Sequence, residues 1–275
     1  MKLVLAKFIG FFINVLVYIS PNNAARLANI LFSTPRKGKH SQEAIDFLNT
    51  AYQEEVSFKE TSIMTYRWPG NHETILLVHG WESNAFRWKD LIETLKLQGY
   101  NIVAIDAPAH GKSGGKLFNI INYSECLYLV AKKFNVQTIV AHSFGGMATI
   151  FFQYKYQLTH LKRIVLLGAP SNLKDVVKRY TYLMSYNTSV IDALDAFTLK
   201  QFGHLPEYYH AAKFSKNINA MGLIIHDPED DIIPYKDALD YKAHYAKAKL
   251  ISTKNLNHSL KSKEVDQHIL EFISN

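Results

Sequence analysis

Cysteine occurs once in the 275 residues, at Cys126, so no intrachain disulfide can staple this chain. A fold without staples must stand on a buried apolar core, and the lone thiol fits a reducing compartment, so a cytoplasmic protein is expected. Cys126 lies in a helical pattern and reads as a small buried hydrophobe rather than a reactive group. No H-E-x-x-H and no Cys/His ligand spacing is present, so neither a metal nor another cofactor is expected. The stretch HGKS at 110–113 lacks the glycine that a phosphate loop places five residues before its Gly-Lys pair; that position is Asp106. Internal repeats and low-complexity tracts are also missing. Lysine and arginine outnumber aspartate and glutamate by 31 to 24, but the lysines are spread along the chain and only PRKGKH at 35–40 is dense. Diffuse charge of this kind gives weak attraction to anionic surfaces and excludes a built nucleic-acid interface.

No apolar run reaches the ~20 residues needed to cross a bilayer. The nearest, LVLAKFIGFFINVLVYI at 3–19, is interrupted by Lys7 and Asn14, seven apart and therefore on one helical face. A helix with such a narrow polar stripe is expected to lie on a surface, either the protein's own body, a partner or a membrane interface. Peripheral membrane contact through residues 1–20 is thus an open expectation, with the segment retained rather than cleaved.

What the chain does contain is a change of rhythm. Residues 1–50 read as a helical segment broken at Ser20-Pro21 and Thr34-Pro35, packed on the core or on a membrane surface. From 51 to 275 short Val- and Ile-rich runs alternate with helical periods. The runs are SIMTYRW (62–68), TILLVHG (74–80), NIVAIDAP (101–108), TIVAHS (138–143), RIVLLGAP (163–170), MGLIIHD (221–227) and KLIST (249–253). Continuous apolar strands between amphipathic helices predict an α/β fold: a mostly parallel, twisted sheet covered by helices on both faces. Ligands of such sheets bind beyond the carboxyl ends of the strands. One interval, about 171–219, is too long for a loop. It is rich in aromatic residues and helical spacing, and is predicted to be a small helical lid.

The strand ends carry the chemistry. TIVAH runs directly into the helix GGMATIFFQY with Ser143 at the joint. Such a bend demands small residues at 141 and 145, and it lifts the serine above the sheet at a helix N-terminus. A serine hydroxyl needs a base, and the base needs a third group to orient it. After the bend come IIHDPEDDIIP (224–234), with Asp227, Asp230 and Asp231 as acids, and NLNHSL (255–260), with His258 in a loop before the last helix. The order Ser, Asp, His is the one this architecture requires. An oxyanion formed at Ser143 would be held by the N–H of the next residue, Phe144, and by that of Trp81 in VHGWESN, where Gly80 permits close approach. Other polar residues near these ends, His79, Asp106, His110 and His142, read as braces.

Taken in order, LLVHGW, IDAPAHGKS, AHSFGG, IIHDPEDDIIP and NHSL resemble a serine-type α/β-hydrolase over residues 57 to 273. Within that family the chain is most similar to small bacterial hydrolases that carry DAPAHG after the fourth strand. The resemblance implies the α/β-hydrolase fold. It also implies that the acid is the aspartate four residues before a proline, which selects Asp230 before Pro234, and that no cofactor is needed. Ala141 and Asn257 stand where glycine is common in the family, and so does Asp227. The expected activity is cleavage of a carboxylic ester in a small, apolar acyl substrate through an acyl-enzyme. Thioesterase, amidase or peptidase chemistry on the same residues, or a catalytically silent binding module, are the alternatives.

Overall fold

The computed structural model describes residues 2–274; Met1, part of the expected surface segment, and Asn275, the end of the expected domain, lie outside the described residues. The chain opens with three helices, α1 (Lys2–Ile19), α2 (Pro21–Ser33) and α3 (Gln42–Leu48). The strands β1 (Tyr52–Phe58), β2 (Thr61–Trp68) and β3 (Thr74–Val78) follow, then α4 (Lys89–Leu97), β4 (Asn101–Ile105), α5 (Ile120–Lys133), β5 (Thr138–His142), α6 (Phe144–Tyr156) and β6 (Arg163–Leu167). The last part holds α7 (Leu173–Leu183), α8 (Thr188–Phe202), α9 (Ala211–Ser215), β7 (Met221–His226), α10 (Lys236–His244), β8 (Ala248–Ser252) and α11 (Lys263–Ser274).

These elements divide into two compact units. The larger, Pro35–Ser171 with Ala211–Asn275, contains an eight-stranded sheet of order β1-β2-β4-β3-β5-β6-β7-β8. From β4 to β8 in that order every pairing is parallel; β2 runs antiparallel to β4, and β1 antiparallel to β2. The central strands β3 and β5 are buried at every residue, as their unbroken apolar runs require when helices cover both faces. Every expected run forms a strand. β1 was not foreseen, because YQEEVSF is a solvated edge with neither an apolar run nor clean alternation. Register pairs Val78 with Ile105 and with Ala141, Ala141 with Leu166, and Leu166 with Ile224. Five carboxyl ends therefore finish in one row, and the residues just beyond them share one edge of the sheet.

The smaller unit joins α1 and α2 to Asn172–His210. Its division falls at Thr34–Pro35 rather than near residue 50, and α3 and α9 pack within the sheet-bearing unit. Its core sets Ile13 and Val17 of α1 against Ala24, Ala25 and Ala28 of α2 and against Val190 and Leu194 of α8. The three alanines give α2 a narrow face on which neighbouring helices can approach closely. Gly10 has the same purpose on α1, since a Cβ there would fall 1.7 Å from the carbonyl oxygen of Met184. The amide of Asn14 donates to the Ser185 carbonyl and accepts from the Asn187 N–H, each at 2.9 Å. The polar position read from the sequence thus fastens α1 to the turn between α7 and α8. Tyr180 donates to the Ala28 carbonyl, and Tyr186 and Phe197 join the same core. Tyr180, Tyr186 and Phe197 of the insertion thus belong to this unit's interior, while Tyr182 and Tyr208 are exposed.

Replacing Gly10 with valine is expected to force α1 off the Met184 turn and to destabilise the protein by about 1–3 kcal/mol, the usual cost of overpacking. Thermal unfolding measures this, and an unchanged midpoint would contradict the close approach.

Candidate active site

The joint between β5 and α6 holds Ser143 at φ 53° and ψ −127°, a left-handed conformation that L-residues avoid. Holding a serine there costs on the order of 1–3 kcal/mol, and the surroundings enforce it. Its N–H donates to the Leu167 carbonyl at 2.8 Å, tying the bend to β6. The helix beyond lies so close to the sheet that a Cβ on Gly145 would sit 2.6 Å from the His79 carbonyl oxygen, and one on Gly146 2.7 Å from the Ala169 Cβ. Ala141 is fully buried, so its methyl group fits where glycine is common. Both smallness requirements read from the sequence have these physical partners.

Around Ser143 the strand ends deliver two further groups. His258 Nε2 lies 3.0 Å from Ser143 Oγ, and His258 Nδ1 lies 2.8 Å from Asp230 Oδ2. The carboxylate fixes the tautomer: Nδ1 carries the proton and donates it to Asp230, so Nε2 is bare and faces the hydroxyl. Asp230 is itself locked, its Oδ1 accepting from the N–H groups of Ile232 at 2.9 Å and Ile233 at 2.8 Å. Burial would raise its pKa, but hydrogen bonds from His226, His258 and the Ile233 N–H outweigh that and hold it well below the usual carboxylate range. The two competing aspartates part from it in space. Asp227 is fully buried and ties the loop before His258, accepting from the Leu256 N–H at 2.6 Å and the Thr253 hydroxyl at 3.0 Å. Asp231 is exposed. Asn257 takes φ 51°, a conformation asparagine tolerates better than most residues, which answers the missing glycine before His258.

Gly80 brings the end of β3 against the bend: a Cβ there would lie 2.7 Å from Ser143 Cβ and 3.3 Å from the Phe144 nitrogen. Among the described residues, neither the Trp81 nor the Phe144 N–H donates to a protein acceptor. Buried or helix-end donors normally find partners, so two unpartnered ones close to Ser143 are unusual. Two histidines pin this loop. His79 accepts from the Ala107 N–H through Nε2 at 2.9 Å and donates through Nδ1 to the Gly80 carbonyl at 2.7 Å. Burial and the neighbouring His110 push it down to about 3, so it stays neutral. His110 Nε2 accepts from the Glu82 N–H at 3.0 Å while Nδ1 donates to the Pro108 carbonyl. Behind both stands Asp106, wholly buried, accepting from Tyr66 at 2.8 Å, the Ala85 N–H at 2.9 Å and the Lys112 N–H at 2.9 Å, with His40 Nε2 at 3.0 Å.

Two further groups support the His258 loop, His142, which the sequence places beside the bend, and Arg87, which carries no sequence signal beyond its polarity. His142 Nε2 donates to the His258 carbonyl at 2.8 Å, and Arg87 donates to the Ser259 carbonyl at 3.1 Å. Burial, followed by the charges of Arg87 and His258, keeps His142 well below its ordinary pKa and hence neutral. Arg87 lies 172 residues from Ser259 in sequence and reaches that loop only through the fold. No group of three or more metal-ligating side chains occurs among the described residues.

The family model for the alpha/beta hydrolase fold matches residues 73–249, well over half of the chain. The chain belongs to the α/β-hydrolase family. Solved structures agree on the fold. A bromoperoxidase from Bacillus anthracis superposes with a TM-score of 0.65 at 17% identity, covering 82% of this chain and 100% of that one. An esterase, RhEst1 from Rhodococcus sp. ECU1013, gives 0.62 at 17% identity over 82% and 98%. A thioesterase domain from the curacin biosynthetic pathway gives 0.59 at 15% identity over 82% and 99%. Among curated proteins none matches this sequence. Identities this low speak for architecture alone, so the chemistry of this α/β-hydrolase rests on its own residues.

Acid tests the brace behind the loop at 80–85. Burial would raise the Asp106 pKa, but the His40 contact and the other donors hold it at about 2, below the 3.8 of an unfolded aspartate. A depressed carboxylate stabilises the fold above the unfolded value and loses that contribution as pH falls toward the folded one. Stability is therefore expected to drop between about pH 4 and pH 2 in the wild type and to drop less steeply there in Asp106→Asn, which starts less stable at neutral pH. Urea midpoints across that range measure it; parallel profiles would contradict the assignment.

Proposed function

We propose that this α/β-hydrolase is a serine hydrolase that cleaves a carboxylic ester through an acyl-enzyme. The observation that carries the reading is the unbroken chain Ser143 Oγ, His258, Asp230 set beside two unpartnered N–H groups. Ser143 Oγ attacks the carbonyl carbon while His258 Nε2 accepts the hydroxyl proton. Asp230 stabilises the imidazolium through the Nδ1–H bond. The carbonyl oxygen, now anionic, rests on the Trp81 and Phe144 N–H groups; a single donor in such a hole is worth ~10²–10³ in turnover. The tetrahedral adduct collapses as His258 returns the proton to the departing alkoxide. Water, deprotonated by His258, then attacks the acyl carbon, and the carboxylic acid leaves as Ser143 regains its proton. No external group is required to balance either half.

An apolar substrate portion is supported by the rings beside the serine. Phe118 packs edge-on to Trp81 at 5.3 Å and lies 6.0 Å from Phe144, so both residues of the proposed hole carry aromatic walls. The insertion departs from the chain just after Gly168, whose Cβ position would lie 3.4 Å from Asp230 and His258, and its role as a lid belongs to this proposal. So does the narrower kinship with small bacterial hydrolases bearing DAPAHG, supported by the use of Asp106 and His110 in that stretch as loop braces.

Ser143→Ala is expected to keep the thermal midpoint and to lose ~10⁶-fold in turnover, as loss of the nucleophile does in such triads. A panel of esters and thioesters of increasing acyl length, run with wild type and variant side by side, tests this and ranks the substrate class. Hydrolysis by the variant at the wild-type rate would refute the proposal.

A further inference from the structure

The outer face of α1 is apolar and uncovered. Val4, Phe8, Phe11, Val15 and Ile19 recur at intervals of three or four, which places them on one stripe of the helix, and they are between 48% and 79% exposed. Leu5, Phe12 and Tyr18 flank that stripe and are more than half exposed. The rings meet one another rather than the protein, Phe8 and Phe12 edge-on at 4.8 Å and Phe11 and Phe12 at 5.8 Å. The opposite face, with Gly10, Ile13, Asn14 and Val17, is committed to the smaller unit's core and to the turn between α7 and α8. This face is therefore not a core stripe waiting for the insertion, because the insertion already occupies the other side. Contiguous apolar surface of this extent is rare on a free soluble monomer and marks a docking face.

Charge selects the occupant. Helices α1 and α2 hold three cations, Lys2, Lys7 and Arg26, and no aspartate or glutamate; the first acid of the chain is Glu43. Lys7 and Arg26 are exposed. A second copy meeting this face through a two-fold axis would set those cations against their own images. An anionic lipid surface would neutralise them and receive the aromatic stripe in its headgroup region. Among the described residues no helix is long and apolar enough to cross a membrane, so the geometry is that of a helix lying in the interface plane. We infer that α1 docks this protein peripherally on an anionic lipid bilayer, with the stripe through Phe8, Phe11 and Val15 inserted. Because Asn14 and Gly10 bind α1 to the α7–α8 turn, docking would bring that turn to the bilayer with it.

The test uses the full chain and needs no turnover, so it stands or falls apart from the proposed hydrolysis. Wild type and Phe8→Glu/Phe12→Glu are sedimented with vesicles of pure phosphatidylcholine and with vesicles in which one quarter is phosphatidylglycerol, and light scattering gives the oligomeric state of each. Both substitutions are at exposed positions, so equal thermal midpoints confirm folding. The inference predicts that wild type partitions onto the anionic vesicles, that the double variant loses at least about tenfold of that partitioning, and that raising salt to ~0.5 M weakens it. Equal sedimentation of wild type and variant would overturn it. So would wild-type binding to neutral vesicles as strong as to anionic ones, or a wild-type dimer that the variant breaks while neither protein binds vesicles.

Discussion

The bend at Ser143 is the constraint from which the rest of the site follows. A strand that enters a helix without a loop can do so only if the joint residue takes φ 53° and its neighbours yield space. That requirement explains Ala141, Gly145 and Gly146 at once, and it explains Gly80, whose missing side chain lets the next strand end rest against the bend. The strain is held by the sheet on both sides, through the Leu167 carbonyl and the buried strand β3. In return the hydroxyl stands 3.0 Å from His258 Nε2, and the first N–H of α6 is left without an acceptor among the described residues. Parallel register then brings the ends of β3, β4, β6 and β7 to the same row, so residues more than a hundred positions apart meet without any long reach.

The site is layered. His258 touches Ser143, but its place is set by the Asp230 carboxylate at one nitrogen and by donors from His142 and Arg87 at its loop's carbonyls. Asp230 is in turn held by two backbone N–H groups, and the loop before His258 by Asp227. The same division recurs on the other side of Ser143, where His79, His110 and Asp106 immobilise the turn after β3. Polar groups buried this deeply are costly unless paired, and His79 and His110 meet that cost by accepting at one nitrogen and donating at the other.

How far the sequence could be read follows from where its signals come from. The parallel sheet was legible because fully buried strands must be apolar throughout, and Ser143, His258 and the acidic loop at 227–231 because each sits past such a run. The polar edge strand β1 was not legible, since solvation on an outer edge imposes no pattern. Choosing among Asp227, Asp230 and Asp231 needed more than spacing; coordinates separate them, with one in the loop tie, one on His258 and one in solvent. Arg87 was invisible because its partner lies 172 residues away and nothing local marks it. The pairing within the smaller unit is hidden for the same reason: helices α1 and α2 find their core in a segment that begins at Asn172, and no local periodicity announces it.

The proposed hydrolysis requires the bend at Ser143 to present an activated hydroxyl to an electrophilic carbonyl. A fluorophosphonate probe reacts with such a serine and leaves others alone. Incubation of the native protein followed by peptide mapping is predicted to place a single adduct on Ser143, formed rapidly and lost in His258→Ala. A native protein that stays unmodified, or an adduct whose rate is the same without His258, would contradict it.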